Sequence, residues 1–163
     1  MSRSLEEVLE RYPRISLTRL PTPLQVLPSL SAKLGLQVLI KRDDLTDLTL
    51  GGDKARKLEY EVARAQAQGA DTLVTCGSSQ SNHARLTTAA ARKAGRQCVV
   101  ILSRDQYQAL QGNLLTVYLM GAQVHFVAHQ AASHYSRSSH EWDGSTAINA
   151  QHSQARRSGS NLL

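Results

Sequence analysis

From Gly51 to Val127 the chain repeats one pattern three times: a helix-forming run, a glycine, then a short apolar run of strand formers. The spacing predicts a helix over Ala55–Gln68, closed by Gly69 and followed by a strand over Thr72–Cys76. It predicts a second helix over Asn82–Ala94, closed by Gly95, and a strand over Gln97–Leu102. The third round is a helix over Gln111–Met120, closed by Gly121, and a strand over Gln123–Val127. Helices alternating with short apolar strands define parallel βαβ units. Strands that apolar suit a sheet covered on both faces.

Upstream, Leu5, Val8, Leu9 and Tyr12 recur at helical spacing behind a possible N-cap, Ser4, and Pro13 stops the run. Leu20–Leu24 contains two prolines and must be extended. The run from Leu24 to Leu34 reads as a helix, started or kinked at Pro28 and ended by Gly35. Leu36–Lys41 reads as a strand, leaving through the charged loop Arg42-Asp43-Asp44, where the two carboxylates cap and pair with Lys41 or Arg42. Past Val127 the pattern stops. Residues 128–163 hold 8 serines and 4 of the 6 histidines, and Ile148, Leu162 and Leu163 are their only Ile, Leu or Val. Such a segment buries too little apolar surface to offset its ordering entropy, so a disordered tail is expected. His129, His134, His140 and His152 are too irregularly spaced for a metal site, and no metal is expected.

Charge and cysteines narrow the function. The first 127 residues carry 16 Lys and Arg against 11 Asp and Glu, and the rest carry 3 against 2. The excess forms no block, so it argues for an anionic small molecule and against nucleic acid. No apolar run approaches the ~20 residues that span a membrane, and Met1–Tyr12 lacks a secretory apolar core, making the cytoplasm the default location. Cys76 and Cys98 have neither metal-ligand nor redox-pair spacing and read as buried free thiols.

Two stretches carry candidate chemistry. Gly51-Gly52-Asp53-Lys54 frees the backbone for a tight turn and places Lys54 at the mouth of a helix, with Arg56 and Lys57 near it. Neighbouring cations push a lysine toward its neutral, nucleophilic form, able to make a Schiff base with a carbonyl or with pyridoxal phosphate. A solvated basic helix start accounts for the same residues. Cys76–His83 lies between a strand and a helix, where parallel α/β folds bind ligands. Its Ser, Gln and Asn side chains and free helix N–H groups suit a small carboxylate or the polar edge of a ring. An ordinary capped loop fits equally well. No G-x-G-x-x-G or Walker lysine points to a nucleotide.

Together, Ile40-Lys41-Arg42-Asp43-Asp44, Gly51–Glu59, Gln68–Val74 and Gln80-Ser81-Asn82-His83 resemble, in register, the pyridoxal-phosphate-dependent D-cysteine desulfhydrase and 1-aminocyclopropane-1-carboxylate deaminase family. The resemblance covers about residues 8–127, and Lys-Arg-Asp-Asp with Ser-Asn-His looks more like the desulfhydrase branch. It implies an α/β chain with the parallel βαβ sheet of the tryptophan-synthase-β-like fold, truncated. Residues 1–53 would start the larger domain, 54–127 would form the smaller α/β domain, and 128–163 would be a non-family tail. By the same resemblance Lys54 is the lysine that bonds to the cofactor, pyridoxal 5'-phosphate. Asn82 contacts its phenolic oxygen, Ser81 contacts the carboxylate of a small amino-acid substrate, and Gln80 helps shape that loop. Lys54 then takes the α-proton, the ring accepts the electrons, and D-cysteine loses hydrosulfide to end as pyruvate and ammonia. One departure is that Asp53 stands where the family has Asn, and a carboxylate there favours the charged form of Lys54.

Family members are substantially longer. Their second half supplies the glycine-rich phosphate loop, the partner of the pyridine nitrogen and further active-site tyrosines. Residues 128–163 offer no counterpart, which suggests a frameshift or truncation. Two functions follow: a lyase, which the resemblance implies is a homodimer or is completed by another chain, or a non-catalytic remnant. Apolar surface left where the larger domain docks would make the chain poorly soluble.

Overall fold

Strands β3 (Thr72–Gly77), β4 (Gln97–Ser103) and β5 (Gln123–Val127) form one parallel sheet in the order β3-β4-β5. Thr72 pairs with Gln97 and Gly77 with Leu102, while Val99 pairs with Gln123 and Ser103 with Val127. The crossovers run through α4 (Asn82–Lys93) and α5 (Gly112–Leu119), with α3 (Lys54–Ala67) ahead of the sheet. This is a computed structural model, and it describes residues 4–104 and 109–128. The three predicted helix–glycine–strand rounds are all present. Gly69, Gly95 and Gly121 each take the positive φ that ends a helix, at 74°, 67° and 74°. The expectation of a disordered tail and the four histidines weighed as metal ligands fall on residues outside those described.

The core lies between the sheet and its helices. Val100 and Leu102 of the central strand are buried against Leu58 and Val62 of α3, Ala84, Leu86, Ala90 and Ala91 of α4, and Leu114 and Val117 of α5 within one cluster. α4 lines its inner face with alanines, whose single methyl group lets the helix approach the sheet closely without losing rotamer freedom. Cys98 is buried and Cys76 half-buried; both are free, and burial pushes both thiols up.

The N-terminal residues lie against α3 through one buried carboxylate. Glu59, 1% exposed, accepts from the Leu17 amide at 3.0 Å, from the Thr18 amide and hydroxyl at 3.2 Å, and from Arg14 at 2.7 Å. The Lys93 ammonium adds a 2.8 Å bond to the Leu17 carbonyl. Leu17 thereby joins the same core as the sheet. Ahead of it, α1 (Leu5–Leu9) begins with the expected Ser4 cap, completed as a capping box by Glu7.

Two expectations fail in the N-terminal third. The helix expected within Leu24–Leu34 does start at Pro28 and end at Gly35 (φ 67°), as α2 (Pro28–Leu34), but the residues ahead of it form a strand, β1 (Leu24–Val26). β1 pairs antiparallel with β2 (Leu39–Lys41), aligning Leu24 with Lys41 and Val26 with Leu39. Pro28 at the first turn fixes where the helix starts, and cross-strand bonds claim the three residues ahead of Leu27. Asp43 also chooses a different partner. Asp44 pairs with Arg42 at 2.7 Å as foreseen, but Asp43 pairs with Arg56 on α3 at 2.6 Å. The Lys41 ammonium donates to the Thr22 carbonyl instead.

Candidate functional site

The site is assembled from two loops that end in helix starts. The first is Gly51-Gly52-Asp53, which delivers Lys54 as the first residue of α3. Gly51 sits at φ 71°, and a Cβ there would come within 2.1 Å of the Asp44 carbonyl oxygen, so only glycine fits. The Gly52 amide donates to the Asp43 carbonyl at 2.9 Å and to the Thr46 hydroxyl at 2.8 Å, and that hydroxyl donates back to the Gly52 carbonyl at 3.1 Å. Two residues past Lys54, Arg56 grips both Asp43 oxygens, at 2.6 and 2.7 Å, and the Thr22 hydroxyl at 3.0 Å. The Arg56 guanidinium holds the Asp43 carboxyl down to about 2. The charged Lys41–Asp44 segment therefore serves as a brace for the lysine loop.

The second loop joins the carboxyl end of β3 to α4. Gly77 must be glycine because the loop folds back on itself: a Cβ would lie 2.8 Å from the Ser81 side chain. The Ser81 hydroxyl oxygen caps α4, accepting from the Ala84 amide at 3.2 Å. Gln80 and Asn82 are tied to the start of α5. Gln80 Oε1 accepts from the Asn113 amide at 3.0 Å and its Nε2 donates to the Gln111 carbonyl at 3.2 Å. Asn113 Nδ2 donates to the Gln80 carbonyl at 2.7 Å and to Asn82 Oδ1 at 2.9 Å.

Arg85 connects the two loops. Its Nη2 donates to the Gly51 carbonyl at 3.0 Å and to Asn82 Oδ1 at 3.3 Å. The lysine helix start and the asparagine helix start thus face one region at the carboxyl edge of the sheet. His83 lies there too; burial first, then the charges of Lys57 and Lys54, pull its imidazole down to about 4, so it is neutral at pH 7.

Lys54 itself is not free of partners. Its ammonium donates to Asp53 at 2.6 Å, and that contact holds the Asp53 carboxyl below the usual range. The cations Arg56 and Lys57, expected to press Lys54 toward its neutral form, are drawn off to Asp43 and Glu61. The nearest charge is a carboxylate, as the departure at position 53 foreshadowed. The Lys54 side chain is still 39% exposed and reachable. No sequence motif singles out Asn113 or Arg85. The one signal for Arg85 is a lone charge in the otherwise small and apolar run from Ala84 to Ala91. Among the described residues no group of three or more His, Cys, Asp or Glu is placed to hold a metal, and no helix is long and apolar enough to cross a membrane.

A parallel α/β sheet with an amine and amide groups gathered at its carboxyl edge belongs to the class of folds that bind small anionic ligands there. The sequence pattern of the pyridoxal-phosphate-dependent enzymes matches residues 15–161, and the chain belongs to that family. D-cysteine desulfhydrase of Klebsiella pneumoniae subsp. pneumoniae is 48% identical over 121 residues, covering 71% of this chain and 37% of that protein. The Salmonella paratyphi B D-cysteine desulfhydrase is 46% identical over the same length and shares. Among solved structures, an ACC deaminase homologue superposes with a TM-score of 0.76 at 37% identity, covering 86% of this chain and 43% of the other. Escherichia coli diaminopropionate ammonia lyase, at 20% identity and a TM-score of 0.56, covering 78% of this chain and 38% of the other, shares the fold. The chain spans 37% of the length of these curated relatives.

The residues present fit one side of the family's cofactor. The site offers a reachable primary amine and, on Asn82, an amide nitrogen with no hydrogen bond among the described residues. The Gly51 carbonyl and Asn82 Oδ1 each already accept a hydrogen bond.

Proposed function

We propose that this chain carries the lysine side of a pyridoxal-phosphate lyase site that acts on D-cysteine or a similar small amino acid. The observation that carries the reading is the placement of Lys54 and Asn82 on two helix starts bridged by one guanidinium. Lys54 and Asn82 would hold pyridoxal phosphate, and the bound cofactor supplies an electron sink for the substrate's α-carbon. The chain's own residues do the rest. Lys54 Nζ takes the α-proton. Ser81 Oγ accepts from the Ala84 amide and keeps its own proton to donate to the substrate carboxylate. Gln80, committed on both sides to α5, fixes the loop that carries Ser81 and Asn82. His83, neutral at pH 7, adds no positive charge beside the amine. From D-cysteine the Cβ–S bond breaks to release hydrosulfide, and one water then replaces the nitrogen, leaving pyruvate and ammonia.

Within this reading residues 1–53 begin the larger domain, 54–127 form the smaller one, the chain works in the cytoplasm, and a homodimer is the assembled form. One observation favours a second reading. The Asp53 carboxylate, 2.6 Å from the Lys54 amine, competes for it, and a non-catalytic chain that keeps the site's residues would show the same contact. Sulfide release from D-cysteine with added pyridoxal phosphate separates the two. The lyase reading expects release by the natural chain and none by Lys54→Ala. Equal background rates from both would contradict it.

A further inference from the structure

Arg85 is a cation in the wrong place for stability alone. It is 4% exposed, and among the described residues no carboxylate pairs with it. Its Nε and Nη1 are buried without a hydrogen-bond partner there, and only Nη2 is used. Burying a guanidinium unpaired is costly, and an apolar side chain of the same length would avoid that cost.

The use of Nη2 shows what is obtained in return. The Gly51 carbonyl lies three residues ahead of Lys54, and Asn82 Oδ1 belongs to the other loop. The Gly51-Gly52 turn is fixed from one side by Asp43 and Thr46. On the α4 side, its one hydrogen bond among the described residues is the one from Arg85, beside a close approach: a Cβ on Gly52 would meet Leu86 Cδ1 at 3.1 Å. Asn82 in turn is held between Arg85 and Asn113.

We propose that Arg85 is a positioning residue, one guanidinium nitrogen holding the Lys54 turn and the Asn82 amide at a fixed separation for the cofactor. This rests on the lyase-site reading above. A rigid link of this kind matters because a misplacement of about 1 Å in a reacting group costs on the order of a hundredfold in rate. Arginine suits the task because its planar head fixes the direction of its donors, whereas a lysine swings on a flexible stem.

Two readouts on the full chain test this, neither of them turnover. In the first, the chain is incubated with pyridoxal phosphate and reduced with borohydride, and the labelled lysines are mapped by peptide mass. Arg85→Met is expected to lower labelling of Lys54, relative to Lys33, Lys41, Lys57 and Lys93, by about tenfold or more. Its melting temperature should stay near or above that of the natural chain, since the buried unpaired charge is gone. Labelling as selective as in the natural chain would overturn the proposal, as would a loss only in step with melting. In the second, hydrogen exchange is read without cofactor at the Gly51 and Gly52 amides, bonded to the Leu48 and Asp43 carbonyls. Arg85→Met should speed exchange there and leave β3 and β4 unchanged; unchanged exchange at the turn overturns the proposal. Arg85→Lys, which keeps the charge, should fall between the two chains in both readouts, and it decides the matter if the methionine variant does not fold. If the natural chain labels its lysines without preference for Lys54, the lyase reading fails, while hydrogen exchange still decides the role of Arg85.

Discussion

The parallel sheet β3-β4-β5 and the antiparallel ribbon β1-β2 are built from similar residue types and held by different means. β4 is a central strand whose Leu102 is 1% exposed, and α4 packs on β3 and β4. All six residues of the ribbon are exposed, with Leu24 at 62% and Ile40 at 38%. Hydrophobic burial therefore fixes the sheet, whereas the ribbon depends on its cross-strand bonds and on polar anchors nearby. The site straddles the two. Asn82 rises from the buried sheet, while Lys54 stands on a turn braced by Asp43 from the exposed side. A strong core sets the position of one group and a few polar contacts set that of the other.

The sharpest break in the comparison is Leu102→Ala against Ile40→Ala. Emptying the core position should cost about 3 kcal/mol by chemical denaturation, and the ribbon position less than about 1 kcal/mol. Equal losses would mean the ribbon is packed as tightly as the sheet. Next comes Glu59→Ala, which leaves the Leu17 and Thr18 amides and Arg14 without their buried acceptor. A loss of about 2–3 kcal/mol is expected, with faster proteolysis between residues 14 and 20.

The third effect is on pH. His83 titrates near 4 when folded and near 6.5 when unfolded, so the unfolded chain takes up a proton first. Stability should therefore be complete above pH ~6.5 and fall between ~6.5 and ~4, by about 1–3 kcal/mol in all. His83→Asn should flatten that interval. The smallest effect belongs to the brace. Asp43 titrates at about 2 when folded against 3.8 in its ordinary state, so its pairing with Arg56 is complete above pH 3.8 and lost as pH falls through about 2. Asp43→Asn should remove that acid-limb loss at a cost of about 1 kcal/mol near neutral pH, since the Arg56 side chain is 36% exposed.

The same contrast explains what the sequence revealed. Helix–glycine–strand periodicity is written locally, and burial enforces it, so β3, α4, β4, α5 and β5 were legible to within a residue or two. β1 was not. Leu24-Gln25-Val26 is too short to carry a period, and its identity as a strand comes from pairing with Leu39–Lys41, a contact distant in sequence. Within the site, Lys54 and Asn82 were visible because each sits at a loop-to-helix junction with its own motif. Asn113 was hidden because its bonds reach Gln80 and Asn82, 33 and 31 positions away, and Arg85 because its link to the Gly51 carbonyl spans 34 positions, although its bond to Asn82 is local. Around Lys54, Arg56 pairs with Asp43, Lys57 with Glu61 and the Lys54 ammonium with Asp53.

The central claim is that Lys54 is presented to a ligand in a way no other lysine of this chain is. Reductive labelling measures it directly, by adding pyridoxal phosphate to the natural chain, reducing with borohydride and mapping the modified peptides. The account predicts a label concentrated on Lys54 and nearly absent from Lys33, Lys41, Lys57 and Lys93. Label spread evenly over the five would contradict it.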